Sequence, residues 1–238
     1  MQTPTTSNSI EWRDGQPYAS AFQDVYFSTD NGLEETKFVF LMQNDLATRF
    51  KDLKNANFTI AETGFGTGLN FLSTWQLWSE LAPSDNSLHF ISVEKYPLSL
   101  DDIRLALAYW PSLADYSQQL LAQYQQMSPG IHQLSFVDGK VTLSLFIGDV
   151  TEMLPQMNTP IDAWFLDGFS PAKNPDMWSA TLFQNMARLS HPLTTFATFT
   201  SAGDVRRGLQ AAGFQVNKLV GFGKKREMLR GHFVGERS

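Results

Sequence analysis

The stretch Ile60-Ala61-Glu62-Thr63-Gly64-Phe65-Gly66-Thr67-Gly68-Leu69-Asn70 constrains the chain more than any other. An apolar run ends in an acidic residue, glycines follow at positions 64, 66 and 68, and a helix-like segment opens at Leu69. Glycine enters left-handed backbone without steric penalty and lets a main chain pass close to a ligand, so a βαβ unit begins here. The rest of the chain reads as further strands and helices of one Rossmann-like α/β sheet around that turn.

A dinucleotide fingerprint requires a third glycine three places after the second. That place holds Leu69, and the third glycine stands one residue early at Gly68. Glu62 puts a carboxylate where a pyrophosphate would be repelled and an ammonium welcomed. The pattern therefore leans to S-adenosyl-L-methionine over NAD, with a ligand-free tight turn as the bland alternative.

Composition narrows the chemistry. The 238 residues suit a single α/β domain with its own core. The absence of cysteine removes disulfides, thiolate nucleophiles and Cys-ligated zinc. His89, His132, His191 and His232 are scattered without metal-ligand spacing, so no metal is expected. No basic-then-apolar start and no stretch of roughly 20 apolar residues is present, so the expectation is a cytoplasmic protein without a membrane span. A net charge of −6 argues against wrapping nucleic acid with the whole surface and leaves room for a local basic patch.

In chain order, the polar residues 1–9 are expected to fray, and Ile10 to Pro17 to form a strand and turn. A helix is expected from Leu33, with Phe38, Val39, Leu41 and Met42 on its buried side. Tyr26 and Asp30 just before it belong to packing or line a pocket. Trp75 and Trp78 share the core side of the helix after the glycine turn. The next strand ends in Glu94, where a carboxylate can accept both hydroxyls of a ribose. A hairpin is expected across Asp138-Gly139, its second strand ending at Gly148-Asp149. Asp149 can take an adenine amino group or cap the helix starting at Val150.

Ile161 to Asp167 is the most apolar strand signal and is expected to be central and parallel. Asp167 heads the loop Gly168-Phe169-Ser170-Pro171-Ala172-Lys173-Asn174-Pro175-Asp176-Met177-Trp178, a proline-stiffened segment at the ligand-binding edge of such a sheet. A carboxylate there can orient an amine and take its proton, which makes Asp167 the catalytic candidate. Phe169 and Trp178 are candidates to stack on a base, or belong to the core. The tail gathers 7 of the 18 basic residues, Arg206, Arg207, Lys218, Lys224, Lys225, Arg226 and Arg230, as a candidate phosphate-binding surface or a solvated face.

Asp30-Asn31-Gly32-Leu33-Glu34-Glu35-Thr36, Glu62 to Leu72, Asp167 to Trp178, Phe199 to Gly203, Val205 to Leu209 and Gly221 to Met228 together resemble the methyltransferase domain of the bacterial bifunctional tRNA 5-methylaminomethyl-2-thiouridine biosynthesis proteins, the MnmC family. The resemblance implies a class I S-adenosylmethionine-dependent methyltransferase fold, with a seven-stranded, mostly parallel sheet whose last strand is antiparallel. It implies methylation of the aminomethyl nitrogen on the wobble uridine of tRNA. Cofactor contacts are then expected at Glu62, Gly64, Gly66, Gly68, Glu94 and Asp149, catalysis at Asp167, and substrate contacts at Asp30, Phe169, Trp178, Arg206, Arg207, Lys224, Lys225 and Arg226. Many members carry a second, FAD-dependent oxidoreductase domain that makes the aminomethyl group. No such stretch is read here, so residues 1–238 are expected to be one methyltransferase domain with an N-terminal extension to about residue 57. The oxidative step would then belong to a separate or fused partner. The rival readings are a methyltransferase of small-molecule or protein amines and a non-catalytic tRNA- or protein-binding module of the same fold.

Overall fold

A computed structural model describes residues 10–13, 16–19, 23–29, 31–54 and 56–235, so residues 1–9 and Asp30 lie outside the described part. The chain opens with a small antiparallel sheet of β1 (Glu11–Arg13), β2 (Gln16–Ala19) and β3 (Asp24–Val25). A helical segment follows, α1 (Gly32–Thr36), a π-helical turn over Lys37–Met42, and α2 (Leu46–Asp52). The main sheet is then built from β4 (Asn57–Thr63), β5 (Ser87–Glu94), β6 (Gly130–Phe136), β7 (Val141–Ile147), β8 (Ile161–Phe165), β9 (Ser190–Thr198), β10 (Phe214–Val220) and β11 (Glu227–Phe233). Its helices are α3 (Leu69–Leu81), α4 (Leu100–Leu107), α5 (Ala114–Gln123), α6 (Val150–Met153), α7 (Ala180–Leu189) and α8 (Gly203–Ala211).

The strand order is β10-β11-β9-β8-β4-β5-β7-β6, with β7, β5, β4, β8 and β9 joined by parallel pairing. The chain lays β5 on one side of β4 and later returns with β8 on the other. Their carboxyl ends diverge at β4, which is where an open α/β sheet forms its crevice. The glycine turn leaves β4 at that point. β8 is central and parallel, as its apolar run requires. β11, the last strand, is antiparallel between β9 and β10.

Two details depart from expectation. Among the described residues the main sheet has eight strands and not seven, because the hairpin across Asp138-Gly139 adds β6 antiparallel to β7 at the sheet edge. The helix after Leu33 buries Val39, Phe40 and Leu41, whereas Met42 is 62% exposed. A π-helical turn takes more residues than an α turn, so the face rotates and Phe40 enters the core in place of Met42. Phe40 stacks on Phe165 of β8 at 5.1 Å, and Phe38 packs on Phe222 at 5.7 Å.

The N-terminal helical segment is fixed to the sheet at one end and to α3 at the other. Arg49 donates to Thr195 Oγ1 at 2.7 Å and to the Asp162 carbonyl at 3.0 Å. At the site end, Thr36 Oγ1 donates to Asn70 Oδ1 at 2.9 Å. The segment therefore runs along one face of the sheet from the amino ends of β4 and β8, and its α1 end reaches the carboxyl edge. On the same face of the sheet, α3 packs beside α2, with Trp78 4.9 Å from Phe50, and buries Phe71, Trp75 and Trp78. The Trp75 ring lies 4.6 Å from Phe136, 5.1 Å from Tyr116 and 5.6 Å from Phe71.

Trp75 is 0% exposed, and truncation would leave a cavity inside this aromatic cluster. Trp75→Ala is expected to lower stability by about 3–5 kcal/mol, read from urea denaturation.

Candidate active site

The turn after β4 needs its glycines. Gly64, Gly66 and Gly68 sit at φ +89°, +53° and +82°, the left-handed region. At Gly64 a Cβ would also stand 3.3 Å from the Gly168 Cα, so two loops meet there backbone to backbone. The Gly66 N–H donates to Glu94 Oε2 at 3.0 Å, and the Tyr96 N–H to Glu94 Oε1 at 2.8 Å. The acidic end of β5 and the glycine turn of β4 thus form one unit. Burial pushes the Glu94 carboxyl above its ordinary range, against the pull of these backbone donors.

This unit forms one side of a cavity of about 670 Å³. Its walls come from the glycine turn, the ends of β5 and β7, the loop headed by Asp167, and the N-terminal segment from Asp24 to Phe40. The volume lies within the range of small-molecule and cofactor sites. Carboxylates at the strand ends, a bare backbone turn, and Lys95 already paired with Asp149 suit a nucleoside better than a pyrophosphate.

At the cavity floor, the Asn70 side-chain amide donates to Glu62 Oε1 at 2.7 Å and to Asp167 Oδ2 at 2.7 Å. Ser92 Oγ donates to the other Glu62 oxygen at 2.7 Å, and the Gly168 N–H to Asp167 Oδ1 at 2.8 Å. Thr63 Oγ1 holds the Asp167 carbonyl at 2.8 Å. Glu62 is 1% exposed and lies behind the cavity wall, so its carboxylate serves the wall and does not face an ammonium directly. Burial, and then the charge of Asp167, push the Glu62 carboxyl well above its usual range. Asp167 lines the cavity, and burial raises it to about 6 against the donation from Gly168 and Asn70. Burial is deeper at Glu62, so Asp167 is the member of the pair that ionises first.

The other sequence candidates fall in distinct places. Asp149 caps α6 through the Thr151 N–H at 2.9 Å and pairs with Lys95 Nζ at 2.8 Å while still lining the cavity. Phe169 lines the cavity and meets Tyr26 edge-on at 5.5 Å. Trp178 is 8% exposed and stands behind the wall, where its indole N–H donates to the Phe169 carbonyl at 3.0 Å. It braces the loop and offers no stacking face to the cavity. Arg207 is exposed and paired with Asp204, Arg206 is half-buried, and Lys224 and Arg226 are exposed in the β10–β11 turn. Lys225 is separate from these, since it lines the cavity and pairs with Glu35 at 2.6 Å. Asp30 lies outside the described residues.

Sequence reasoning missed Asn70, Thr36, Ser92 and Glu35 as participants. Asn70 stands directly after the glycine turn, and an amide following such a turn can reach the strand-end carboxylates. Ser92 is paired with Glu62 across β4 and β5, a register visible only in the folded sheet. His89, His132 and His191 make separate contacts with Ser144, the Ser128 carbonyl and Asp162. No helix among the described residues is long and apolar enough to cross a membrane.

Residues 111–233 match a family described as S-adenosyl-L-methionine-dependent methyltransferase. The chain is 58% identical over 231 residues to the tRNA 5-methylaminomethyl-2-thiouridine biosynthesis bifunctional protein MnmC of Methylobacillus flagellatus, covering 97% of this chain and 36% of that protein. It is 55% identical over 228 residues to the protein of that name from Pseudomonas aeruginosa, covering 95% and 35%. The chain thus spans about a third of the length of the curated relatives it matches. A solved structure, MNMC2 from Aquifex aeolicus, is similar in fold at a TM-score of 0.75 and 21% identity, covering 93% of this chain and 67% of that one.

The three raised carboxyls, Glu62, Glu94 and Asp167, bind protons more readily in the folded chain than in the unfolded one. Their contribution is present below the unfolded value of about 4 and is lost as pH rises through the folded values. Stability of the ligand-free protein is therefore expected to rise as pH falls from about 7 to 5, with a weaker rise in Asp167→Asn. Urea midpoints measured across that range check the sign.

Proposed function

The chain belongs to the S-adenosyl-L-methionine-dependent methyltransferases, and from that premise we propose that it methylates the 5-aminomethyl nitrogen on the wobble (thio)uridine of tRNA. The acceptor reading is supported by the name that relatives at 55–58% identity carry, and the amine chemistry by Asp167. That carboxylate sits in the cavity, beside the glycine turn, with an acidity near pH 6.

S-adenosyl-L-methionine, when bound, supplies an electrophilic methyl on a sulfonium. The turn Gly64 to Gly68 would take its amino-acid part along bare backbone, Glu94 its ribose hydroxyls, and Asp149 its adenine edge. Glu62 would act through Asn70, which it holds in place. An alkyl amine arrives largely as an ammonium and has no lone pair until a proton leaves. Asp167, ionised above about pH 6 and oriented by Asn70 and Gly168, would accept that proton.

The acceptor base must leave its stack to reach the cavity, and Phe169 offers it an aromatic wall. Arg206, Arg207, Lys224 and Arg226 lie on the tail of the chain, where they would meet the phosphate backbone. The relatives are named bifunctional, and the family resemblance implies that the aminomethyl substrate would come from an FAD-dependent oxidoreductase, fused or separate, with the cytoplasm as the setting.

Labelled methyl transfer into tRNA carrying 5-aminomethyl-2-thiouridine tests the reading. Label is expected at the wobble uridine with the wild type, falling about a hundredfold or more in Asp167→Asn with cofactor affinity retained. Bound cofactor with no label in tRNA, but label in a small amine or a protein, would refute the tRNA assignment.

A further inference from the structure

Within electrostatic reach of Asp167, the cavity holds a second polar constellation that proton transfer to Asp167 does not use. Glu35 projects from α1, Phe199 follows β9, and Lys225 comes from the β10–β11 turn, and all three line the cavity. The Lys225 ammonium lies 2.6 Å from Glu35 Oε1 and 4.6 Å from the centre of the Phe199 ring. A carboxylate on one side and an aromatic face on the other make a receptor for a primary alkyl ammonium. Such a cation is the group that an aminomethyl acceptor carries.

We propose that Glu35 and Phe199 form the acceptor-ammonium subsite of this cavity, and that Lys225 is an internal stand-in displaced when the acceptor enters. The proposal rests on the aminomethyl reading given above. Lys225 suits a placeholder because its stem is flexible, its ammonium stays half-exposed, and it springs from a turn at Gly223 with φ +58° and open space around it. No bond is made or broken in the exchange, since one ammonium replaces another on the same carboxylate. Glu35 and Lys225 both reach Asp167 electrostatically, Glu35 raising its carboxyl and Lys225 lowering it. An acceptor seated on Glu35 would thus lie within the field of the group that takes its proton. Glu35 selects the cation, and Asp167 then neutralises it.

The test compares two tRNAs in binding to the cofactor-loaded protein, one carrying 5-aminomethyluridine and one carrying 5-hydroxymethyluridine. Contacts to phosphate are common to both and cancel in the ratio of affinities. The wild type is expected to prefer the amine about tenfold or more, of the order of a charge-assisted hydrogen bond. Glu35→Gln is expected to bring the preference to within about twofold while S-adenosylmethionine affinity, measured by calorimetry, is unchanged. Lys225→Met removes the same ion pair but keeps Glu35, so its preference is expected to equal or exceed the wild-type value. An undiminished preference in Glu35→Gln, or an equal loss in both variants, would overturn the proposal, the latter by showing that the pair is only a structural tie. Failure of the tRNA reading shows separately, as absence of methyl transfer to aminomethyl tRNA in the wild type before any variant is compared.

Discussion

The side-chain amide of Asn70 donates to Glu62 and to Asp167 at 2.7 Å each, and the site depends on that double contact. Two carboxylates brought together in a buried place repel one another and resist ionisation. Burial, deeper at Glu62 than at Asp167, settles which carries the charge, against the pull of the donors on both. Glu62, hidden behind the wall and held by Asn70 and Ser92, is pushed well above its ordinary range. Asp167, open to the cavity and held by Gly168 and Asn70, comes to about 6. Thr36 occupies the remaining oxygen of the Asn70 amide, which fixes the orientation of its NH₂ group toward the acids.

The fold exists to bring these groups to one edge. β4 ends at the switch point of the sheet, with β5 on one side and β8 on the other. Glu62, Glu94 and Asp167 therefore stand at or just beyond the carboxyl ends of neighbouring strands although they are far apart in sequence. The glycine turn runs between them, and Gly64 lets it pass against Gly168. The N-terminal segment closes the cavity from above. It is joined to the loop after β8 by Lys173, whose ammonium lies 3.2 Å from Asp24, and to the β10–β11 turn by the Glu35–Lys225 pair. Both connections are charged and partly exposed, as suits a roof that has to admit a substrate.

Much of this was legible from residue order. The glycine spacing announces the turn after β4, the unbroken apolar run before Asp167 announces a central strand, and the prolines beyond it announce a stiff loop. What escaped sequence reading depends on register and on side-chain direction. Glu62 looks like a ligand-facing acid because it ends an apolar run, but the strand turns it inward, where Ser92 of the next strand meets it. Trp178 looks like a stacking residue and is instead a brace, because its indole N–H finds the Phe169 carbonyl. Lys225 looks like one more member of a basic tail, and only the fold reveals that it reaches Glu35 across 190 residues. The π-helical turn at Lys37–Met42 leaves no periodic trace in so short a segment, so the exposure of Met42 could not be anticipated.

The central claim is that Asp167 takes the acceptor's proton. The pH dependence of single-turnover methyl transfer to aminomethyl tRNA tests it most directly. The wild-type rate should climb with unit slope through about pH 6, where Asp167 ionises, and then run level toward the pKa of the amine. Asp167→Asn should show no such plateau and should climb with unit slope until the amine itself loses its proton. A wild-type profile without a break near pH 6, parallel to that of the variant, would contradict the account.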